Sequence, residues 1–418
     1  LSLAQRTHDT ALRHNQYINR NQVAWDQGKR SRADSGRQET GMRKTSKPRL
    51  KALAALTTTA LAAACAYAAD AYPPVTYERL TNAQEDPGWL TYYRNYGGQS
   101  HSPLKQINTS NVAKLKQAWS YKFPAELQQG FEATPLVNGR YLFVTTPKDN
   151  VYAFDAATGK PLWKYEPKLG AESFKTACCD VINRGVALYG KNVYVAMLSG
   201  DVAALDAETG ALIWKKQMFE PGIGYAFSLA PLALDGKLIV GSAGGEYGAR
   251  GFIAALSPDD GNVLWKRFTV PAANEQYGDT WPKGMQEHGG APAWLTGTYD
   301  AGSKTLYWGV GNPGPWLADL RPGDNLYSDS LLALDPQNGD LKWHYQYTRH
   351  DTWDYDGVNT PVLAKINYEQ KDYDAIIHAD RNGYFHAIDR TTGKLIYAKP
   401  FVTATSVKGY TADGKPIQ

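Results

Sequence analysis

Cysteine, methionine and long apolar runs are all scarce in this chain. Its 418 residues hold 3 cysteines and 4 methionines. No Cys-x-x-Cys-His occurs anywhere, so the chain carries no covalently attached c-type haem. The apolar stretch from Ala52 to Ala69 is too short for a comfortable membrane span. Excess charge of one sign is missing as well. The formal net charge is +4, but residues 1–69 hold 12 of the 45 basic and 4 of the 41 acidic side chains, leaving 33 against 37. The basic surplus belongs to the leader, and the remainder, at −4, shows no electrostatic footprint for nucleic acid.

The leader has two parts. Residues 1–41 are polar, rich in Arg, Gln and Asn, and begin with Leu1. Met42 opens a different pattern: Arg43, Lys44, Lys47, Arg49 and Lys51, then the apolar run, then small residues around Ala66–Ala69. Charged, apolar and cleavage regions in that order make a secretory signal peptide over 42–69. Translation is expected from Met42, with 1–41 an upstream segment that is untranslated or disordered. Cys65 falls inside the apolar region, where Ala62-Ala-Ala-Cys65 is a poor match to a lipidation box. Two adjacent cysteines, Cys178 and Cys179, then remain for a mature, periplasmic chain from residue 70 to 418, in a compartment that favours disulfides.

Aromatic residues are plentiful, at 12 Trp and 27 Tyr against 11 Phe, and 39 glycines point to many turns. That mixture favours an all-β protein. One phrase recurs: Ala153-Phe-Asp155-Ala-Ala-Thr-Gly159 with Trp163, and Ala204-Leu-Asp206-Ala-Glu-Thr-Gly210 with Trp214. Further copies have Ser257, Gly261 and Trp265; Asp335, Gly339 and Trp343; and Asp389, Gly393 and Tyr397. The glycine always follows the Asp or Ser by four residues and the aromatic by eight. Trp119 ends an earlier unit, so the anchors are 44, 51, 51, 78 and 54 residues apart. Each unit reads as antiparallel strands joined by a tight turn, with Gly supplying positive φ. Repeats of about 50 residues built this way predict a β-propeller whose aromatics pack one blade on the next. The 78-residue interval predicts extra loop material, where function concentrates.

The densest acidic stretch is Asp351-Thr-Trp-Asp354-Tyr-Asp356-Gly. In an extended segment Asp354 and Asp356 leave the same face, where they repel unless a cation lies between them. Hard metal ions take such oxygen ligands. Taken alone, the same residues also describe a solvated turn. Adjacent Cα atoms, about 3.8 Å apart, are closer than an ordinary disulfide spans, so a bond from Cys178 to Cys179 would close a strained ring.

The repeat, Trp89-Leu-Thr-Tyr-Tyr and Ser102-Pro-Leu-Lys-Gln-Ile-Asn108 resemble quinoprotein dehydrogenases that use pyrroloquinoline quinone (PQQ), over about residues 75–418. The resemblance implies an all-β, eight-bladed β-propeller with the cofactor on its axis. About six blades' worth of chain is present, so the sequence is expected to be incomplete at its C-terminus. It also implies that Cys178 and Cys179 form a ring disulfide over one face of the quinone, with Trp294 under the other. Arg184 pairs with a cofactor carboxylate, Glu132 and Ser228 border the ring, and Gly244 and Gly245 bring backbone close to it. Ala243 departs from the serine that relatives often carry. Glu246, Asn312 and Asp354 match the metal ligands, and Asp354 and Arg381 match the catalytic pair. Asp356 matches the extra acid of lanthanide-dependent members; calcium-type members have a small or neutral residue there.

The activity so implied is oxidation of a small primary alcohol to an aldehyde by hydride transfer to PQQ, activated by a lanthanide ion or alternatively Ca2+. Electrons pass to a separate cytochrome c, and the assembly admits a homodimer. The competing readings are a non-catalytic propeller scaffold of the outer-membrane assembly type, and an inactive truncated quinoprotein.

Overall fold

The computed structural model describes residues 71–124 and 130–417, all within the second of the chain's two compact units, Ala64–Gln418. The expected upstream segment (1–41) and signal peptide (42–69) lie outside the described residues.

Five four-stranded antiparallel sheets follow one another, each a simple meander. They are β1–β4 (Leu136–Asn138, Tyr141–Thr145, Val151–Asp155, Pro161–Tyr165) and β5–β8 (Ala187–Tyr189, Asn192–Ala196, Asp201–Asp206, Leu212–Gln217). Next come β9–β12 (Leu232–Leu234, Lys237–Gly241, Phe252–Leu256, Val263–Phe268) and β13–β16 (Thr298–Asp300, Thr305–Val310, Ser330–Leu334, Leu341–Gln346). The last is β17–β20 (Val362–Tyr368, Lys371–Ala379, Tyr384–Asp389, Leu395–Pro400), followed by a short hairpin, β21–β22 (Gly409–Tyr410, Pro416–Ile417). Burial falls from the inner strands outward: β14 and β15 are buried throughout, whereas β8 alternates between exposed and half-buried positions.

The recurrent phrase explains both the turn and the packing. Asp155 Oδ1 accepts from the Thr158 N–H and hydroxyl, and Gly159, at φ 70°, donates its N–H to the Asp155 carbonyl at 2.8 Å. Asp206, Thr209 and Gly210 repeat this arrangement. In every sheet the register shifts by one residue just beyond this turn. That bulge sets the anchor aromatic opposite an alanine in all five: Trp163 on Ala153, Trp214 on Ala204, Trp265 on Ala255, Trp343 on Ala333 and Tyr397 on Ala387. The indole then reaches the next unit. Trp163 Nε1 donates to the Ala207 carbonyl and Trp214 Nε1 to that of Pro258, both at 3.0 Å, while the rings lie on Gly210 and Gly261. Trp119 lies on Gly159 in the same way, as the sequence spacing anticipated.

Direction along the meander decides where long connections fall. Strands two and four of each sheet run the same way, so the connections leaving them emerge at one end, and the tight Asp-x-x-Thr-Gly turns lie at the other. Both long connections within the 78-residue interval, 269–297 and 311–329, are of the first kind.

Gly210→Ala tests the contact between sheets. A Cβ there would stand 2.6 Å from the Trp163 ring at a φ of 72°. We expect a loss of about 2 kcal/mol or more, read as a lower thermal midpoint, with the β-sheet circular dichroism spectrum retained.

Candidate active site

Every expected site residue lies on a connection at the long-loop end. Glu132 precedes β1, Cys178, Cys179 and Arg184 join β4 to β5, and Ser228 joins β8 to β9. Gly244, Gly245 and Glu246 join β10 to β11, Trp294 joins β12 to β13, and Asn312 joins β14 to β15. Asp354 and Asp356 join β16 to β17, and Arg381 joins β18 to β19.

Eleven of these residues border one cavity of about 470 Å³: Glu132, Cys178, Cys179, Arg184, Ser228, Gly244, Glu246, Trp294, Asp354, Asp356 and Arg381. Gly245 and Asn312 fall outside that lining, Asn312 bordering an adjacent cavity, and a Cβ on Gly245 would be 3.2 Å from the Asn312 side chain. Ala243, the position without the family serine, borders the cavity too. Sequence reasoning gave no role to Ala177, Ile182, Leu198, Ala226 and Trp316, which complete the lining. Trp316 could have been suspected from its place four residues after Asn312; nothing local marks the four aliphatic residues.

Cys178 and Cys179 are joined, with Cα atoms 3.8 Å apart. The segment is anchored from beneath. Asn183 is fully buried and donates to Asp149 Oδ1 and to the Ala196 carbonyl, both at 2.8 Å, and Asp149 Oδ2 accepts from Leu198 N–H. Arg184 does not stand free. Its guanidinium meets Glu132 Oε2 at 2.7 Å and Ser228 Oγ at 2.9 Å, and lies 4.6 Å from the Trp294 ring centre. Glu132 and Ser228 therefore orient Arg184 as well as border the cavity. Gly244 has to be glycine, since at φ 107° its Cβ would fall 1.8 Å from the Gly224 carbonyl oxygen.

The acidic loop departs from the extended form expected of it. Asp354 and Asp356 both take left-handed φ, 63° and 72°. Asp356 Oδ2 pairs with Arg381 Nη1 at 2.6 Å, and its Oδ1 accepts from Trp294 Nε1 at 3.2 Å and from Asn312 N–H at 3.3 Å. Arg381 Nη1 also donates to the Asp354 carbonyl at 2.8 Å. The buried Asn312 amide lies between Asp356 Oδ1 and the Trp316 indole. An arginine held on Asp356 thus supplies part of the positive charge expected beside the two aspartates.

The carboxylates still hold their protons unusually tightly. Burial first, then the charge of Asp356, pushes Asp354 up to about 6 against the pull of Arg381. Burial raises Asp356 against the pull of Arg381, and burial followed by repulsion from Asp356 raises Glu246. Among the described residues no group of three His, Cys, Asp or Glu side chains is already arranged to hold an ion. The donors are nonetheless the right kind, since three carboxylates and one amide oxygen suit a hard cation. A flat polyanionic cofactor is matched as well: the cavity has the volume of a small-ligand site, a disulfide and an indole on its walls, and two arginines facing it.

The description "PQQ: Glucose/ethanol/alcohol dehydrogenase, beta-propeller domain" is that of the family whose profile matches residues 89–409. The chain belongs to this PQQ-dependent dehydrogenase family. It is 41% identical over 367 residues to quinoprotein alcohol dehydrogenase PedH of Pseudomonas putida, covering 83% of this chain and 61% of that protein. It is 40% identical to the quinohemoprotein alcohol dehydrogenase of Comamonas testosteroni, covering 80% and 49%. The crystal structure of the Comamonas enzyme superposes with a TM-score of 0.78, 82% of this chain covering 53% of that one at 39% identity. A europium-containing methanol dehydrogenase superposes at 0.77, with 34% identity and coverage of 82% and 63%. The chain therefore spans about half to three-fifths of the length of these relatives.

The electrostatics can be read without any ligand. In metal-free protein, Glu246→Gln removes one of the repelling carboxylates. Because the folded-state value lies above the ordinary 4.5, the penalty is absent at low pH and grows as pH rises through it. The variant should melt roughly 1–3 °C above the parent at neutral pH and no higher than it near pH 4.

Proposed function

We propose that this chain is the propeller of a periplasmic alcohol dehydrogenase that oxidises small primary alcohols to aldehydes with PQQ and a lanthanide ion, and passes electrons to a cytochrome c. The observation that carries this reading is the joined Cys178–Cys179 pair on the same cavity as Trp294, Asp354 and Arg381. PQQ, when bound, supplies the hydride acceptor, and the cation supplies Lewis acidity.

The chain's own residues do the rest. The Cys178–Cys179 pair and Trp294 offer the flat surfaces that confine the ring system, and Arg184 and Arg381 face its carboxylates and carbonyls. Glu246, Asn312, Asp354 and Asp356 are the oxygen donors for the cation. Asp354 borders the cavity beside Arg381, where its carboxylate is placed to accept a hydroxyl proton. Arg381 is held on Asp356 and on the Asp354 backbone, so its charge is fixed before the reaction begins. Asp356 adds a third carboxylate, which favours a trivalent ion over Ca2+ because the extra charge is better compensated. The vicinal cysteines and the signal-like segment 42–69 support an exported, oxidising setting.

Dye-linked alcohol oxidation by the purified chain with PQQ and either lanthanum or calcium tests this. Lanthanum should support turnover and calcium little or none; Asp356→Ala should remove the lanthanum response. Asp354→Asn should abolish turnover while PQQ remains bound by absorbance. Turnover retained by Asp354→Asn would refute the base, and silence with both ions would refute the enzyme reading for this chain.

A further inference from the structure

A buried arginine outside the expected set joins two of the three segments that carry the oxygen donors. Arg321 is 1% exposed and borders a smaller cavity of about 240 Å³ together with Asn312 and Asp354. Its guanidinium points three ways. Nε donates at 2.7 Å to the carbonyl of Pro315, three residues after Asn312. Nη1 donates at 2.8 Å to Asn325 Oδ1, itself fully buried. Nη2 donates to the carbonyl of Asp351, three residues before Asp354.

Asp351 continues the clamp. Its Oδ1 accepts the N–H of Trp353 and its Oδ2 that of Tyr355, both at 2.9 Å, so one carboxylate grips the backbone on either side of Asp354. Asp354 lies between those bonds at a φ of 63°, a conformation an aspartate seldom keeps unaided. The planar guanidinium, with its donors in fixed directions, ties loop 311–316 to loop 351–356, which otherwise belong to different sheet connections.

We propose that Arg321 is a positioning residue: it fixes the distance between the Asn312 segment and the Asp354–Asp356 loop, and so sets the affinity of this oxygen site for its cation. The proposal rests on the cation reading given above. Outer partners that orient ligands typically change metal affinity about 10–100-fold when replaced.

Terbium, added alone to the cofactor-free chain and followed by tryptophan-sensitised emission, reports binding without turnover. Arg321→Lys keeps the charge but cannot reach three acceptors, and it should weaken terbium binding about tenfold or more with the circular dichroism spectrum unchanged. Asp351→Asn tests the other end, since an amide offers one acceptor oxygen where the carboxylate offers two, and it should weaken binding comparably. Arg94→Lys is the control: Arg94 is equally buried and donates to the Asp86 carbonyl, outside the site. It should leave terbium affinity unchanged whatever it does to the thermal midpoint. Parental affinity in a folded Arg321→Lys or Asp351→Asn variant would overturn the proposal, as would an equal loss in Arg94→Lys. No terbium binding by the parent chain would instead overturn the cation reading itself.

Discussion

An indole can lie flat on a turn only where the turn has no Cβ, and this chain meets that steric condition five times, at Gly159, Gly210, Gly261, Gly339 and Gly393. Each glycine carries the tryptophan of the preceding unit, and each following aromatic faces an alanine across a bulge. Two small residues per repeat therefore set how closely successive sheets approach. Because the contact is made at the tight-turn end, the opposite connections are free to vary in length and chemistry without disturbing it. The site is built from those connections, and its geometry inherits the spacing that the glycines impose.

Within the site the governing difficulty is like charge. Glu246, Asp354 and Asp356 share a partly buried space, and burial raises all three, with repulsion from Asp356 added at Asp354 and Glu246 and from Asp351 at Asp356. Arg381 relieves Asp354 and Asp356 and fastens the loop backbone in doing so. Arg184 meets a parallel constraint at the other side of the cavity, where Glu132 and Ser228 hold it against Trp294. The two arginines are thus oriented in advance for anionic partners, which lowers the ordering cost of binding one.

Much of this was legible before any coordinates. The fixed intervals from Asp to Gly to Trp are local, so they announce the turn, the second strand and the sheet contact together. Cys178 and Cys179 are neighbours in the chain, and their pairing needs no long-range knowledge to be considered. The acidic loop was harder. Alternation in an extended strand placed Asp354 and Asp356 on one face, but a carboxylate from Asp351 bends the backbone into left-handed turns and sends Asp356 to Arg381 instead. Asp149, which anchors Asn183 beneath the disulfide segment, and Arg321 left no local signal, because the bonds that matter, from Asp149 to Asn183 and from Arg321 to Asp351, span 34 and 30 residues.

By itself, then, the sequence determined the repeat and the class of fold, since the turn, the second strand and the sheet contact follow from spacings of eight residues or fewer; the site residues came as expectations from a family resemblance. The tertiary structure decided which residues meet: that Arg184 lies on Trp294, that Arg381 serves Asp356, and that Gly245 comes beside Asn312. Those pairings join residues tens to more than a hundred positions apart. They follow from the stacking of one sheet on the next, which no local interval encodes.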